Sequence, residues 1–303
     1  MQKRLFSVAL CLALLASPLL TSTARAHWEF HDVSGQYLFG YTGVESAYEY
    51  RQEVANAGIK TNVTTISSEY NTYLQPAIDH QTQGGKKVGI FLDTVLFQEA
   101  TPSWYLRPDY QWAFNHWYNL NKNYLTSSRV AFLIINSEAN NRGLTAAALN
   151  TAISYVKTKL PALPTVVGYG FGDGGAGMTN LTLPSQADGF GLWRYAVLNP
   201  QAAGSEFQTI LNFFKQNMDQ SRQRLIIIFD AHYGPWHVNA GQTQEMVGDI
   251  AIRYADIARA EPLVVGMIGF TWESFGAVLG LRDVSQGMRL KNVTASCKLL
   301  PCP

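Results

Sequence analysis

The feature that most narrows the folds open to this chain is a repeated pattern: apolar runs of strand length that end in an acid. Ile90-Phe91-Leu92-Asp93, Phe132-Leu133-Ile134-Ile135-Asn136-Ser137-Glu138, Leu225-Ile226-Ile227-Ile228-Phe229-Asp230 and Gly269-Phe270-Thr271-Trp272-Glu273 share this form. A continuous β-rich apolar run reads as a strand covered on both faces, as strands are in a parallel sheet. Carboxylates are costly to desolvate, so acids gathered at strand carboxyl ends mark the edge where α/β barrels keep their chemistry.

Strand and helix patterns alternate along the chain. Strand-like segments fall at Gln36–Tyr41, Ile59–Ile66, Lys87–Leu96, Arg129–Asn136, Thr165–Phe171, Ala187–Tyr195, Arg224–Phe229 and Leu263–Thr271. Helical patterns fall at Glu45–Ala57, Tyr70–Gln81, Asp109–Leu125, Thr145–Leu160, Ser205–Gln220 and Thr243–Ala260. The connection Gly172–Gln186 is rich in Gly, Thr and Pro and replaces one helix with a loop. Eight strands in alternation predict a single (β/α)₈ TIM barrel of α/β class.

The first 26 residues read as a secretory signal peptide. Lys3 and Arg4 precede an apolar stretch from Leu5 to Leu20, and Ala24-Arg25-Ala26 has the small-x-small form of a cleavage site. The barrel domain is then 27–303 with a C-terminal tail, near the roughly 250 residues typical of this fold. The expected location is secreted or periplasmic. The 23 Lys and Arg nearly balance the 22 Asp and Glu. Three of the basic residues leave with the leader, so the exported chain sits near −2. That balance, without a Lys/Arg cluster, argues against a nucleic-acid partner. No segment after the leader reaches the roughly 18 apolar residues of a membrane span. Cys297 and Cys302 are expected to close a small disulfide loop at the tail.

Strand side chains alternate faces, so Phe132, Ile134, Asn136 and Glu138 share one face, and Ile226, Ile228, Asp230 and His232 share another. Opposed carboxylates at the fourth and seventh strand ends, Glu138 and Asp230, would supply a proton donor and a nucleophile or base for glycosidic cleavage. On these residues the chain resembles the (β/α)₈ glycoside hydrolases. In the large retaining superfamily of that fold the acid/base is a Glu at the end of strand four, usually directly after an Asn. The nucleophile is a Glu at the end of strand seven. Glu138 takes the first place, with Ser137 between it and Asn136; Asp230 takes the second, with Asp for Glu. Glu273, beside Trp272 at the end of strand eight, is the substitute for Asp230. The resemblance implies a poly- or oligosaccharide substrate and no cofactor.

Aromatic faces pack against sugar rings, and polar tips meet hydroxyls. Asp93, Asn136, Asp173, Trp193, Arg194, Tyr195, His232, Trp236 and Trp272 are therefore the expected substrate contacts. Trp112 and Trp117, on a helix, read as core. Gly172-Asp173-Gly174-Gly175-Ala176-Gly177 lacks the Lys-Ser/Thr of a phosphate loop and reads as a rim loop. Two rival functions use the same residues. One is a barrel that binds saccharide without cleaving it, as part of a polysaccharide export or surface system. The other is a metal-dependent polysaccharide deacetylase built on Asp230, His232 and His237.

Overall fold

Parallel strands close on themselves in the computed structural model, which describes residues 37–43, 49–101, 103–172, 178 and 180–302. Residues 1–26, expected to be a signal peptide, lie outside the described residues, as do Glu45 and Asp173. In chain order the barrel strands are β1 (Leu38–Tyr41), β2 (Val63–Ile66), β3 (Lys87–Phe91) and β4 (Val130–Asn136). They continue with β5 (Thr165–Gly170), β6 (Gly189–Trp193), β7 (Arg224–Asp230) and β8 (Val264–Phe270). Each pairs in parallel with its sequence neighbours, and β1 closes the ring on β8 through Leu38 opposite Gly266. This is the expected (β/α)₈ barrel.

Helices cover the outer face, and local chemistry starts several of them. The side chains of Thr145, Ser205, Thr243 and Ser285 each accept the backbone N–H three residues on. Each thereby satisfies an amide that the first helical turn leaves open. The helices so capped are Ala146–Lys159, Glu206–Asn217, Gln244–Ala260 and Gln286–Leu299. The last forms within the segment read from sequence as a tail. It packs against Gln244–Ala260, and the Cys297–Cys302 disulfide closes its end. Outward strand residues such as Leu133, Ile135, Tyr169, Phe190 and Phe229 join Phe114, Phe207, Phe214 and Tyr254 in the main core. Trp117 is buried there as expected. Trp112 is not: it is 57% exposed and stacks on His116 at the surface.

Two short antiparallel ribbons decorate the mouth. Phe97–Ala100 pairs with Ser103–Leu106 after β3. His232–Tyr233 pairs with Leu279–Gly280, tying the segment after β7 to the one after β8. Among the described residues no helix is long and apolar enough to cross a membrane.

Candidate functional site

A cavity of about 590 Å³ opens at the carboxyl ends of the strands, within the range of small-molecule pockets. Two carboxylates at strands four and eight line it: Glu138 and Glu273. Glu138 follows β4 and is half-buried. Its backbone N–H donates to Asn136 Oδ1 at 3.0 Å, so the buried Asn136 orients the turn that carries the acid. The Trp193 indole N–H points at Glu138 Oε1 at 3.3 Å. That approach depends on two bare positions on β5. A Cβ on Gly168 or Gly170 would come within 2.6 Å or 2.3 Å of the Trp193 ring.

Glu273 stands beyond β8, half-buried, on a segment fixed through its backbone. Leu281 N–H bonds the Thr271 carbonyl and Arg282 N–H bonds that of Trp272. Gly280 lies so close that a Cβ there would meet Glu273 backbone at 2.3 Å.

A third acid, Asp93, follows β3 and also lines the cavity. Its Oδ1 accepts from Ser137 N–H at 2.8 Å, Ser137 Oγ at 2.7 Å and Arg142 at 2.6 Å. Burial pushes its pKa up, while the Ser137 bonds and the Arg142 charge pull against that rise. Arg142 is itself held over the Trp104 ring at 3.9 Å. Asp93 Oδ2, Thr42 Oγ1 and Thr65 Oγ1 are buried without a hydrogen-bond partner among the described residues, and all three residues line the cavity. Buried polar atoms are ordinarily hydrogen-bonded, so the wall formed by β1–β3 offers polar groups to a ligand.

Asp230 occupies different surroundings. It is 1% exposed and does not border the cavity. Ala196 N–H donates to its Oδ2 at 3.1 Å. Its Oδ1 lies 3.4 Å from His237 Nε2 and 3.8 Å from His232 Nε2, and both rings are fully buried. Tyr195 and Phe270 form the partition. They stack at 6.0 Å, face the cavity, and meet the His232 ring at 5.0 and 5.6 Å from the other side. The Tyr195 phenol is pushed well above its ordinary range by desolvation first, then by the Asp230 and Glu138 charges on either side.

The Asp230, His232 and His237 ligand atoms lie within 4.8 Å of one another, a spacing a cation would accept. The ring hydrogen bonds fit a metal at only one histidine. His232 Nδ1–H donates to the Phe270 carbonyl, leaving a lone pair on Nε2, as metal-bound histidines do. His237 is reversed: its Nδ1 accepts from Gly234 N–H at 3.0 Å, which puts the ring proton on Nε2 facing Asp230. Asp230 Oδ1, His232 Nε2 and His237 Nε2 face one another without a hydrogen-bond partner among the described residues, and the cluster reads as a buried carboxylate beside two imidazoles. Burial lowers the His232 pKa, against the opposing pull of Asp230.

The other expected contacts divide. Trp193, Tyr195 and Asp93 reach the cavity. Trp272 does not: it is 2% exposed, packs on Tyr41 and donates its indole N–H to Glu53 at 3.1 Å. Arg194 turns away to pair with Glu206 at 2.6 Å. His232 lies behind the partition, and Trp236 packs against it without bordering the cavity. Sequence reasoning missed Thr42, Thr65, Ser67, Ser68 and Arg142, which line the cavity. The one signal is that Thr42, Thr65, Ser67 and Ser68 sit at or just past a strand's carboxyl end; Arg142, six residues beyond β4, carries none.

No protein-family model and no curated protein matches this sequence. Solved structures do match in fold. A GH113 β-1,4-mannanase superposes with a TM-score of 0.55 at 11% identity, over 89% of this chain and 99% of that one. Xylanase 10B from Thermotoga maritima gives 0.54 at 12%, over 87% and 95%. Saccharomyces cerevisiae Gas2p, in complex with laminaritriose and laminaritetraose, gives 0.57 at 10%, over 88% and 65%. At such identities the likeness is one of fold. The chain has the barrel architecture that these glycoside hydrolases use.

Proposed function

We propose that this chain is an exported glycoside hydrolase in which Glu138 and Glu273 are the reacting carboxylates. The observation that carries the reading is that both line one cavity at the barrel mouth, while Asp230 is sealed behind Tyr195 and Phe270. Glu138 would protonate the leaving glycosidic oxygen. Glu273 would attack the anomeric carbon or activate a water; a carboxyl separation of about 5–5.5 Å corresponds to retention and about 6.5–9.5 Å to inversion. Thr42, Thr65 and Asp93 would bond sugar hydroxyls, and the Trp193 indole N–H would orient Glu138. The fold shared with the mannanase, the xylanase and Gas2p supports a polysaccharide or oligosaccharide substrate. Residues 1–26 would direct export.

The deacetylase reading requires its metal to meet the substrate, and Asp230, His232 and His237 do not border the cavity. The test is reducing-end release from a polysaccharide panel by the chain lacking residues 1–26, beside Glu138→Gln and Glu273→Gln. Turnover lost in both folded variants is the expected result. Turnover retained in both would overturn the assignment. Oligosaccharide binding without turnover in the parent protein would make it a saccharide-binding barrel instead.

A further inference from the structure

The barrel interior is filled only in its lower part, where Leu38, Val63, Phe132, Val166, Val265 and Ile268 pack together. In this fold the strands' inward side chains ordinarily pack the axis in layers. Here the cavity rests on a buried floor of Phe132, Ile134, Val166, Ile226 and Ile268 and opens against Ile228 above it. Ile226 lies four residues below Asp230, about 13 Å along the strand. Ile228 and Phe91, inward residues of β7 and β3, are only half-buried, so the space reaches them.

The glycines on the inner wall show where the volume comes from. The place beside Gly89 is taken by the Phe132 ring, and that beside Gly168 by Trp193. Gly191 on β6 differs. A Cβ there would meet nothing closer than 3.7 Å, and its φ lies outside the left-handed region. Neither backbone nor packing requires a glycine at this position, and it borders the cavity. The bare residue holds open a space that a larger side chain would fill.

The two sides of this space differ in chemistry. The β1–β3 side carries the unpartnered Thr42, Thr65 and Asp93 atoms. The β4–β8 side below the mouth is aliphatic, with no polar group to meet a hydroxyl at Val166, Ile226, Ile228 or Ile268. A hydroxyl buried there would lose its hydrogen bonds, whereas an alkyl chain would gain the transfer energy of leaving water. We propose that the lower cavity binds an acyl or alkyl chain, so that the ligand is a sugar carrying such a group rather than an unmodified glycan. The assignment of the sugar half rests on the glycosidase reading; the apolar half does not.

Straight-chain alcohols from butanol to octanol probe the apolar half alone. They would be titrated into the protein with isoleucine methyl groups observed by NMR, in parallel with Gly191→Leu. The expected result is shifts at the Ile226, Ile228 and Ile268 methyls, with affinity rising by about two- to fourfold per methylene until the space is full. Gly191→Leu, still folded by circular dichroism, should abolish the chain-length dependence. If that variant does not fold, Gly191→Ala, which meets only ordinary contacts, should weaken the longest alcohols most. Affinity independent of chain length, or shifts confined to other methyls, would overturn the proposal. Turnover is measured separately, on unmodified polysaccharides and on alkyl glycosides. Turnover without alcohol binding would leave the glycosidase reading standing and remove this one, and alcohol binding without turnover of either substrate would do the reverse.

Discussion

Asp230 and Glu273 leave adjacent strands of one barrel, yet one is 1% exposed behind a pair of rings and the other faces a cavity. Asp230 is surrounded by Ala196 N–H and two buried imidazoles, with His232 tied by its other nitrogen to Phe270. Glu273 is carried on a backbone segment fixed by Leu281 and Arg282, and it lines the cavity that Glu138 also borders. A carboxylate at a strand end is thus a statement about position. Whether it does chemistry depends on what lies over it, here Tyr195 stacked on Phe270.

The largest expected effect is at the mouth. Glu138→Gln should lower kcat by about 10²–10⁴, the usual worth of a positioned general acid, with binding and melting temperature unchanged. A fall in binding with little fall in kcat would break the contrast. In the sealed cluster the effect should fall on stability instead. Asp230→Asn keeps an acceptor for Ala196 but removes the carboxylate charge 3.4 Å from His237 Nε2, at a cost of about 1–3 kcal/mol in denaturant unfolding. Trp193→Phe removes the N–H aimed at Glu138 and should reduce kcat/KM about tenfold, the lower end of a hydrogen bond to a charged group. An unchanged value would disconnect Trp193 from the acid.

The smallest effect is a pH slope. The His232 pKa lies below its ordinary 6.5 in the folded state, chiefly from burial. The unfolded chain therefore binds a proton near pH 6.5 that the folded ring resists. Stability is fully present above that pH and falls as pH drops from 6.5 toward the folded pKa. His232→Gln should flatten this part of the curve. A slope that survives the substitution would place the proton elsewhere.

The barrel was legible because each strand's apolar run and each intervening helical pattern are local signals, and the structure follows them through β1–β8. Glu138 was legible for the same reason. Asp230 misled because period two correctly puts it on the face of Ile226 and Ile228, both at the cavity. The rings that cut it off come from β6 and β8, and no local pattern reports them. Trp272 misled in a similar way. Period two puts it on the face of Ile268 and Phe270, both at the cavity, but the strand ends at Phe270 and the chain beyond turns the indole onto Tyr41. Thr42 and Thr65 are short polar residues without a spacing signature, and only their unpartnered hydroxyls single them out.

The most direct test of the central claim compares Glu273→Gln with Asp230→Asn for turnover per folded molecule on a polysaccharide the parent protein cleaves. Glu273→Gln inactive, with Asp230→Asn within a few-fold of the parent, is the result this account predicts. Asp230→Asn inactive while stably folded, with Glu273→Gln active, would contradict it and return the second catalytic role to strand seven.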